Sequence, residues 1–210
     1  MKNHNKGKII ITSLITLAPM LIGLFYWNKL PNQIATHFGS GNVPNGWSSK
    51  IWAVVGLPVL LMALHLFCIF VTLNDPKKKN IGKNMLGIVY WIIPVTSIIV
   101  NSSIYGVALG MKLNVEVITM GIVGMLFLVL GNYMSKNHQN YTVGIRNPWT
   151  LSSEENWEKT HRLASKMWMI GGIIVLLNIF FKQPWIVIAV VLICAFVPMG
   201  YSYMLYTKGK

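Results

Sequence analysis

The chain has 210 residues, of which 54% are apolar and only 11% charged, with a mean hydropathy of +0.54. Soluble domains carry roughly 45–50% apolar and about 25% charged residues, so a soluble domain, a disordered chain and a secreted disulfide scaffold are excluded. The net charge of +13 sits in short islands between long uncharged stretches, the pattern of a polytopic membrane protein and not of a nucleic-acid binder with one basic stripe.

A bilayer core of about 30 Å takes roughly 20 helical residues. Six stretches approach that length: 9–27, 51–73, 85–109, 115–134, 167–181 and 185–206. The predicted fold is therefore all-α, with about six transmembrane helices. Met1 to Lys8 ahead of an apolar run imitates a signal peptide, but no A-x-A-like cleavage site follows. The first run is read as a retained span. The fifth has only 15 apolar residues between Lys166 and Lys182, so it reads as a tilted span or as a partly re-entrant hairpin with the sixth.

Orientation follows from the basic residues. Fourteen of the eighteen Lys and Arg fall in residues 1–8, 74–84, 135–166 and 207–210, and four in the alternate connections. By the positive-inside rule both termini and the loops 74–84 and 135–166 are cytoplasmic, and the loop 28–50 is extracellular.

Pro19, Pro58, Pro94 and Pro198 lie inside spans, where each frees a carbonyl that neighbours must satisfy. They read first as packing kinks. Ser102, Gly106 and Gly110 form a small-xxx-small face for close helix contact. Cys68 and Cys194 sit in apolar runs and read as packing thiols. His65, Asn101, Ser102, Ser103 and Asn178 are the polar residues at depth, with Asp and Glu missing from the span centres. That counts against a coupled secondary transporter, and His65 reads as a packed, hydrogen-bonded histidine.

In the first loop, Gly39, Gly41, Pro44 and Gly46 enforce turns, so a compact cap outside the membrane is expected. Trp47 and Trp52 sit where an aromatic belt anchors it. His37 has no second ligand at a useful spacing, so no metal site is read here.

The loop from Gly131 to Lys166 carries the distinctive features. Asn140 to Thr150 is turn-rich, with Arg146, Pro148 and Trp149 clustered, and it is expected to lay Arg146 over the ring of Trp149 or Trp157. A helix then starts with Ser152 as N-cap and Glu155 closing a capping box. Glu154, Glu158 and His161 share one face at i, i+4 and i+7. Such a trio can bind a metal or move protons, but Glu158 with Arg162 reads equally as an i, i+4 ion pair. A capped, salt-bridged helix seated on the membrane surface by Trp157 and Leu163 is expected, with no enzyme chemistry and no cofactor.

The stretch GIRNPWTLSSEENWEKTHR resembles the signature of the SdpI family of bacterial membrane proteins, through Gly144, Arg146, Pro148, Trp149, Thr150, Leu151, Glu154, Trp157, Thr160, His161 and Arg162. The first loop resembles the short membrane domain that often precedes the SdpI unit, through Leu30, Pro31, Ile34, His37, Phe38, Gly41, Ser49 and Lys50. It departs at Ala35, where proline is usual, and at Asn45, where aspartate is common. Two domains are therefore expected: residues 1–84, a two-helix membrane domain with the loop 28–50, and residues 85–210, an SdpI-like four-helix domain with the loop 135–166.

The resemblance implies a multi-pass protein of the bacterial cytoplasmic membrane that gives immunity against a toxic peptide. It also implies a receptor that holds an ArsR-type repressor at the membrane, with no direct nucleic-acid contact. The partners implied are the lipid bilayer, the toxic peptide and the cytoplasmic repressor. The binding residues would be Gly144, Arg146, Pro148, Trp149, Thr150, Glu154, Trp157, Glu158, His161 and Arg162 inside, and Pro31, His37, Phe38, Gly41 and Trp47 outside. Two alternatives stay open. One is a small-solute channel or exporter; the other is a membrane-embedded enzyme using Glu154, Glu158 and His161.

Overall fold

A computed structural model describes the main chain of residues 2–209 and the side chains of residues 6–209. In chain order it holds α1 (Lys2–Phe25), the strands β1 (Gln33–Phe38) and β2 (Pro44–Ser49), α2 (Leu57–Leu73) and α3 (Lys83–Ala108). There follow α4 (Val115–Met134), the short α5 (Pro148–Ser152), α6 (Glu154–Phe181) and α7 (Pro184–Thr207). Among the described residues, six helices (all but α5) are long and apolar enough to cross a membrane. Helices satisfy every backbone polar group within the segment, as a hydrocarbon surrounding demands. This is a multi-pass membrane protein.

The chain divides into two compact units. The first is the chain up to Phe70 together with Gly87–Glu116; the second is Val71–Leu86 together with the chain from Val117 onward.

In the first unit the 28–50 loop is not a set of turns but a β-hairpin. β1 and β2 pair antiparallel, Gln33 opposite Ser49 and Ile34 opposite Ser48, with irregular register past Ala35. Its root is a core of Leu30, Ile34, Ala53, Val54, Ile104 and Tyr105. A π-helical turn, Trp52–Gly56, leads into α2, and the Ala53 carbonyl accepts from the Tyr105 hydroxyl at 3.2 Å. Pro58 is thus the second residue of α2, at its start, whereas Pro19, Pro94 and Pro198 do lie inside helices. His65 is fully buried and lies 2.9 Å from the Thr12 hydroxyl, which bears out its packed, hydrogen-bonded reading. The Ser97 hydroxyl donates to the Thr16 carbonyl at 2.8 Å.

The expected small-residue face on α3 makes no helix contact of that kind. Gly110 lies beyond the helix end, and the space beside Gly106 is taken by Leu113 and Met111 of the following turn. Close approach occurs instead in the second unit. A Cβ on Gly172 would stand 2.8 Å from the Gly124 carbonyl, and one on Gly131 would stand 2.9 Å from the Met169 nitrogen. The Ser165 hydroxyl donates to the Gly131 carbonyl at 2.6 Å, and Phe127 stacks on Trp168 with centroids 4.6 Å apart. Met120, Val175, Val190 and Cys194 form the local core.

The fifth span differs most from its expectation. The surface helix and the 15-residue apolar run are one continuous 28-residue helix, α6. At 1.5 Å per residue it is about 42 Å long, ample for a full crossing. It turns into α7 through Lys182 at φ +53°, with Asn178 accepting from the Gln183 N–H at 3.2 Å and donating to its carbonyl at 2.9 Å.

Candidate functional site

The loop between α4 and α6 is a folded clasp over the first two turns of α6, all within the second unit. It starts from Gly144, whose φ is +118°. A side chain there is strained by the backbone alone, and its Cβ would also stand 2.4 Å from His161 Nε2. With glycine in place, the Ile145 N–H donates to His161 Nε2 at 2.9 Å. On the other side of the ring, Nδ1 lies 2.8 Å from the Trp157 carbonyl. A carbonyl only accepts and an N–H only donates, so the proton is on Nδ1 and the imidazole is uncharged. A second proton on Nε2 would face the Ile145 N–H.

Trp157 lies beneath, 1% exposed, its ring stacked on His161 at 3.9 Å between centroids. Its indole N–H donates to the Asn137 carbonyl at 2.9 Å. This corrects the expectation that Trp157 seats the helix on the membrane surface: the loop, not lipid, covers the apolar face. Thr150, fully buried, closes the turn. Its hydroxyl donates to the Ile145 carbonyl at 2.8 Å, and its N–H donates to Asn147 Oδ1 at 2.8 Å in a capping box. Pro148 follows at the first position of α5, where a missing N–H costs nothing. The cap of α6 is Ser153, one residue later than expected, accepting from the Asn156 N–H at 3.2 Å. Ser152 belongs to α5.

The other matched residues face outward or sideways. Arg146 is exposed and donates to the Tyr141 carbonyl at 2.6 Å. It covers neither tryptophan ring, since Trp149 packs on Tyr203 at 4.9 Å and Trp157 on His161. Glu154 and Glu158 are exposed while His161, on the same helical face, is roofed by the Gly144 turn. The two glutamates border a polar cleft of about 210 Å³ with Asn80, His138, Gln139 and Trp157. Arg162 is exposed, and the ion pair on α6 joins Lys159 to Glu155, not Arg162 to Glu158.

Several residues that hold the clasp were not singled out from the sequence. Asn156 donates to the Ser202 carbonyl at 2.9 Å and accepts from the Thr160 hydroxyl at 3.1 Å, while the Ser202 hydroxyl donates to Asn147 Oδ1 at 3.2 Å. Gln139 donates to the Thr150 and Leu151 carbonyls and accepts from Lys77. Asp75 is 4% exposed and faces only donors: the Lys77 N–H on Oδ1 at 2.7 Å, and on Oδ2 the Tyr141 N–H at 2.9 Å and the Thr142 hydroxyl at 2.8 Å. The one visible signal was an acid before a proline in the lysine-rich segment NDPKKKN. Asp75→Asn turns an N–H toward at least one of these donors. It should destabilise the purified chain by about 1–3 kcal/mol, the cost of a buried unsatisfied group. Thermal unfolding in detergent reads this, and a midpoint equal to the parent's would contradict the clamp.

Of the first-loop residues, Pro31 precedes β1 and is exposed, and Phe38 is half-buried at the end of that strand. His37 Nδ1 bonds Asn45 Oδ1, and Gly46, opposite His37, leaves room for its Cβ. Gly41 takes the tip at φ +74°, and Trp47 is 59% exposed. Asn42 was passed over. Its side chain donates to the Leu113 carbonyl at 3.0 Å and accepts from the Val115 N–H at 2.8 Å, fastening the hairpin tip to the start of α4.

The clasp lies within residues 136–202, which match the family model described as the SdpI/YfhL protein family. By this segment the chain is similar to the SdpI/YfhL family. Residues 14–62, which hold the hairpin, match a domain of unknown function, DUF1648. The chain is similar to the Immunity protein SdpI of Bacillus subtilis (strain 168), at 27% identity over 208 residues, covering 96% of this chain and 97% of that protein. No solved structure matches. Within the matched segment, Trp157 and His161 are interior, and Arg146, Glu154, Glu158 and Arg162 are exposed.

Proposed function

We propose that this protein is an immunity protein of the bacterial cytoplasmic membrane, protecting its host against a toxic peptide. The observation that carries the reading is the end-to-end similarity to the Immunity protein SdpI, over 96% of one chain and 97% of the other. Deleting the gene should make the host sensitive to spent medium from its own wild-type culture, and re-expression should restore survival. Equal survival of deletion and parent in active medium sinks the reading.

The finer part of the proposal concerns the clasp. Its outward residues Arg146, Glu154, Glu158 and Arg162 form a charged surface on a rigid base, the kind of surface an ArsR-type repressor would use to dock. The repressor should sediment with membranes from toxin-exposed cells and stay soluble when Arg146 and Arg162 are both changed to alanine. Sedimentation unaffected by these changes argues against docking at the clasp.

A cytoplasmic clasp is supported by the basic residues, fourteen of eighteen of which fall in one set of alternate connections. In a chain whose own cysteines are replaced by alanine, Gly41→Cys should label with an impermeant thiol reagent in intact cells. Ser152→Cys should label only after permeabilisation. The reverse pattern would invert the topology.

A further inference from the structure

We propose that the second unit binds the phosphodiester headgroup of an anionic phospholipid in a two-lysine cavity at the ends of α3 and α4. The cavity holds about 380 Å³ and is lined by Lys83, Asn84 and Met85 from the start of α3, and by Tyr133 and Lys136 from the end of α4. That volume is within the roughly 300–1,000 Å³ range of ligand pockets. α3 and α4 are consecutive spans, so the beginning of one and the end of the next lie at the same face of the membrane. Lys83 is the first residue of α3, and Lys136 lies just beyond Met134, the last of α4. Both ammonium groups are therefore at headgroup level.

The walls are built and not merely adjacent. Asn137 Oδ1 accepts from the Gly82 N–H at 2.9 Å, and Asn137 Nδ2 donates to the Tyr133 carbonyl at 2.7 Å, tying the two helix ends together. Met85, 3% exposed, is an apolar floor. Lys136 Nζ is held 4.7 Å over the Tyr133 ring and 3.3 Å from Asn132 Oδ1, which leaves ammonium protons for a further acceptor. None of the five acidic side chains lines the cavity. Two cations, an amide and no counter-charge fit a phosphate oxygen set.

A lipid and not a soluble anion is favoured by what continues from the cavity. Val129 and Met125 are three and seven residues before Asn132 on α4, on its face of the helix, and Met125 is 53% exposed. This apolar column runs from the headgroup level into the hydrocarbon, where an acyl chain would lie.

The test uses the purified full chain in detergent, with bound lipid counted by native mass spectrometry. Phosphatidylglycerol should bind and phosphatidylcholine should not, and inorganic phosphate should fail to displace the former. Lys83→Gln with Lys136→Gln should weaken phosphatidylglycerol binding about 25-fold, roughly fivefold for each lysine, and the double arginine variant should retain it. Lys78→Gln with Lys79→Gln removes the same charge outside the cavity and should leave binding unchanged. Equal weakening by this control pair would show diffuse attraction only. Displacement by phosphate would show a soluble-anion site, and equal binding of phosphatidylcholine would show no headgroup recognition; each overturns the proposal.

Discussion

Gly144→Ala is expected to lower the stability of the purified chain by about 3–5 kcal/mol, from backbone strain at positive φ together with a lost hydrogen bond at a partly buried donor. The φ of +118° is one that alanine rarely adopts, and its methyl group would stand 2.4 Å from His161 Nε2. The imidazole would have to withdraw, leaving the Ile145 N–H without its acceptor and pulling the ring off Trp157. A double-mutant cycle separates strain from collision. His161→Ala removes the collision, so Gly144→Ala with His161→Ala should cost less than the sum of the single changes, by about 1 kcal/mol or more. Thermal or denaturant unfolding in detergent measures all three. Full additivity would mean that the two residues do not meet.

How much of this was legible in advance differs between spans and clasp. The six spans follow from hydropathy, because a hydrocarbon surrounding selects long apolar runs whatever their partners. The hairpin was hidden because its second strand, PNGWSS, carries proline, asparagine and glycine where strand-formers are expected, and only Ile34 of the two strands is fully buried. In α6, an inward apolar face looks the same in sequence whether lipid or a loop covers it, so Trp157 was assigned the wrong cover. The capping signal was read one residue early because Ser152 and Ser153 are adjacent and each is a good cap. The matched motif located the site, but its supports are distant in sequence: Asp75 is 67 residues from Thr142, and Asn156 is 46 from Ser202. No local pattern encodes such pairs.

Trp157→Ala should be comparably damaging, at about 3–5 kcal/mol for an emptied aromatic site. The ring fills the space between His161 and Asn137, and it is among the largest fully buried side chains of the protein. Trp157→Phe keeps an aromatic face against His161 and removes only the indole donor. It leaves the Asn137 carbonyl unsatisfied, at a cost of about 1–3 kcal/mol. The ordering alanine worse than phenylalanine worse than parent, read as unfolding midpoints, tests whether packing or the single hydrogen bond dominates. Phenylalanine as damaging as alanine would assign the whole effect to the Asn137 contact.

The continuity of α6 has a mechanical consequence. The helix that carries Trp157 and His161 in its first turns carries Gly171, Gly172 and Asn178 further along, with no break at which one half can turn while the other stays still. A load applied to the clasp therefore reaches the far end as tilt, rotation or sliding of a single rod about 42 Å long, and a push at the far end returns to the clasp in the same form. The clasp also cannot be excised as a soluble fragment with its interior intact, because its floor is the first stretch of the rod itself. Whatever grips this loop grips the transmembrane helix.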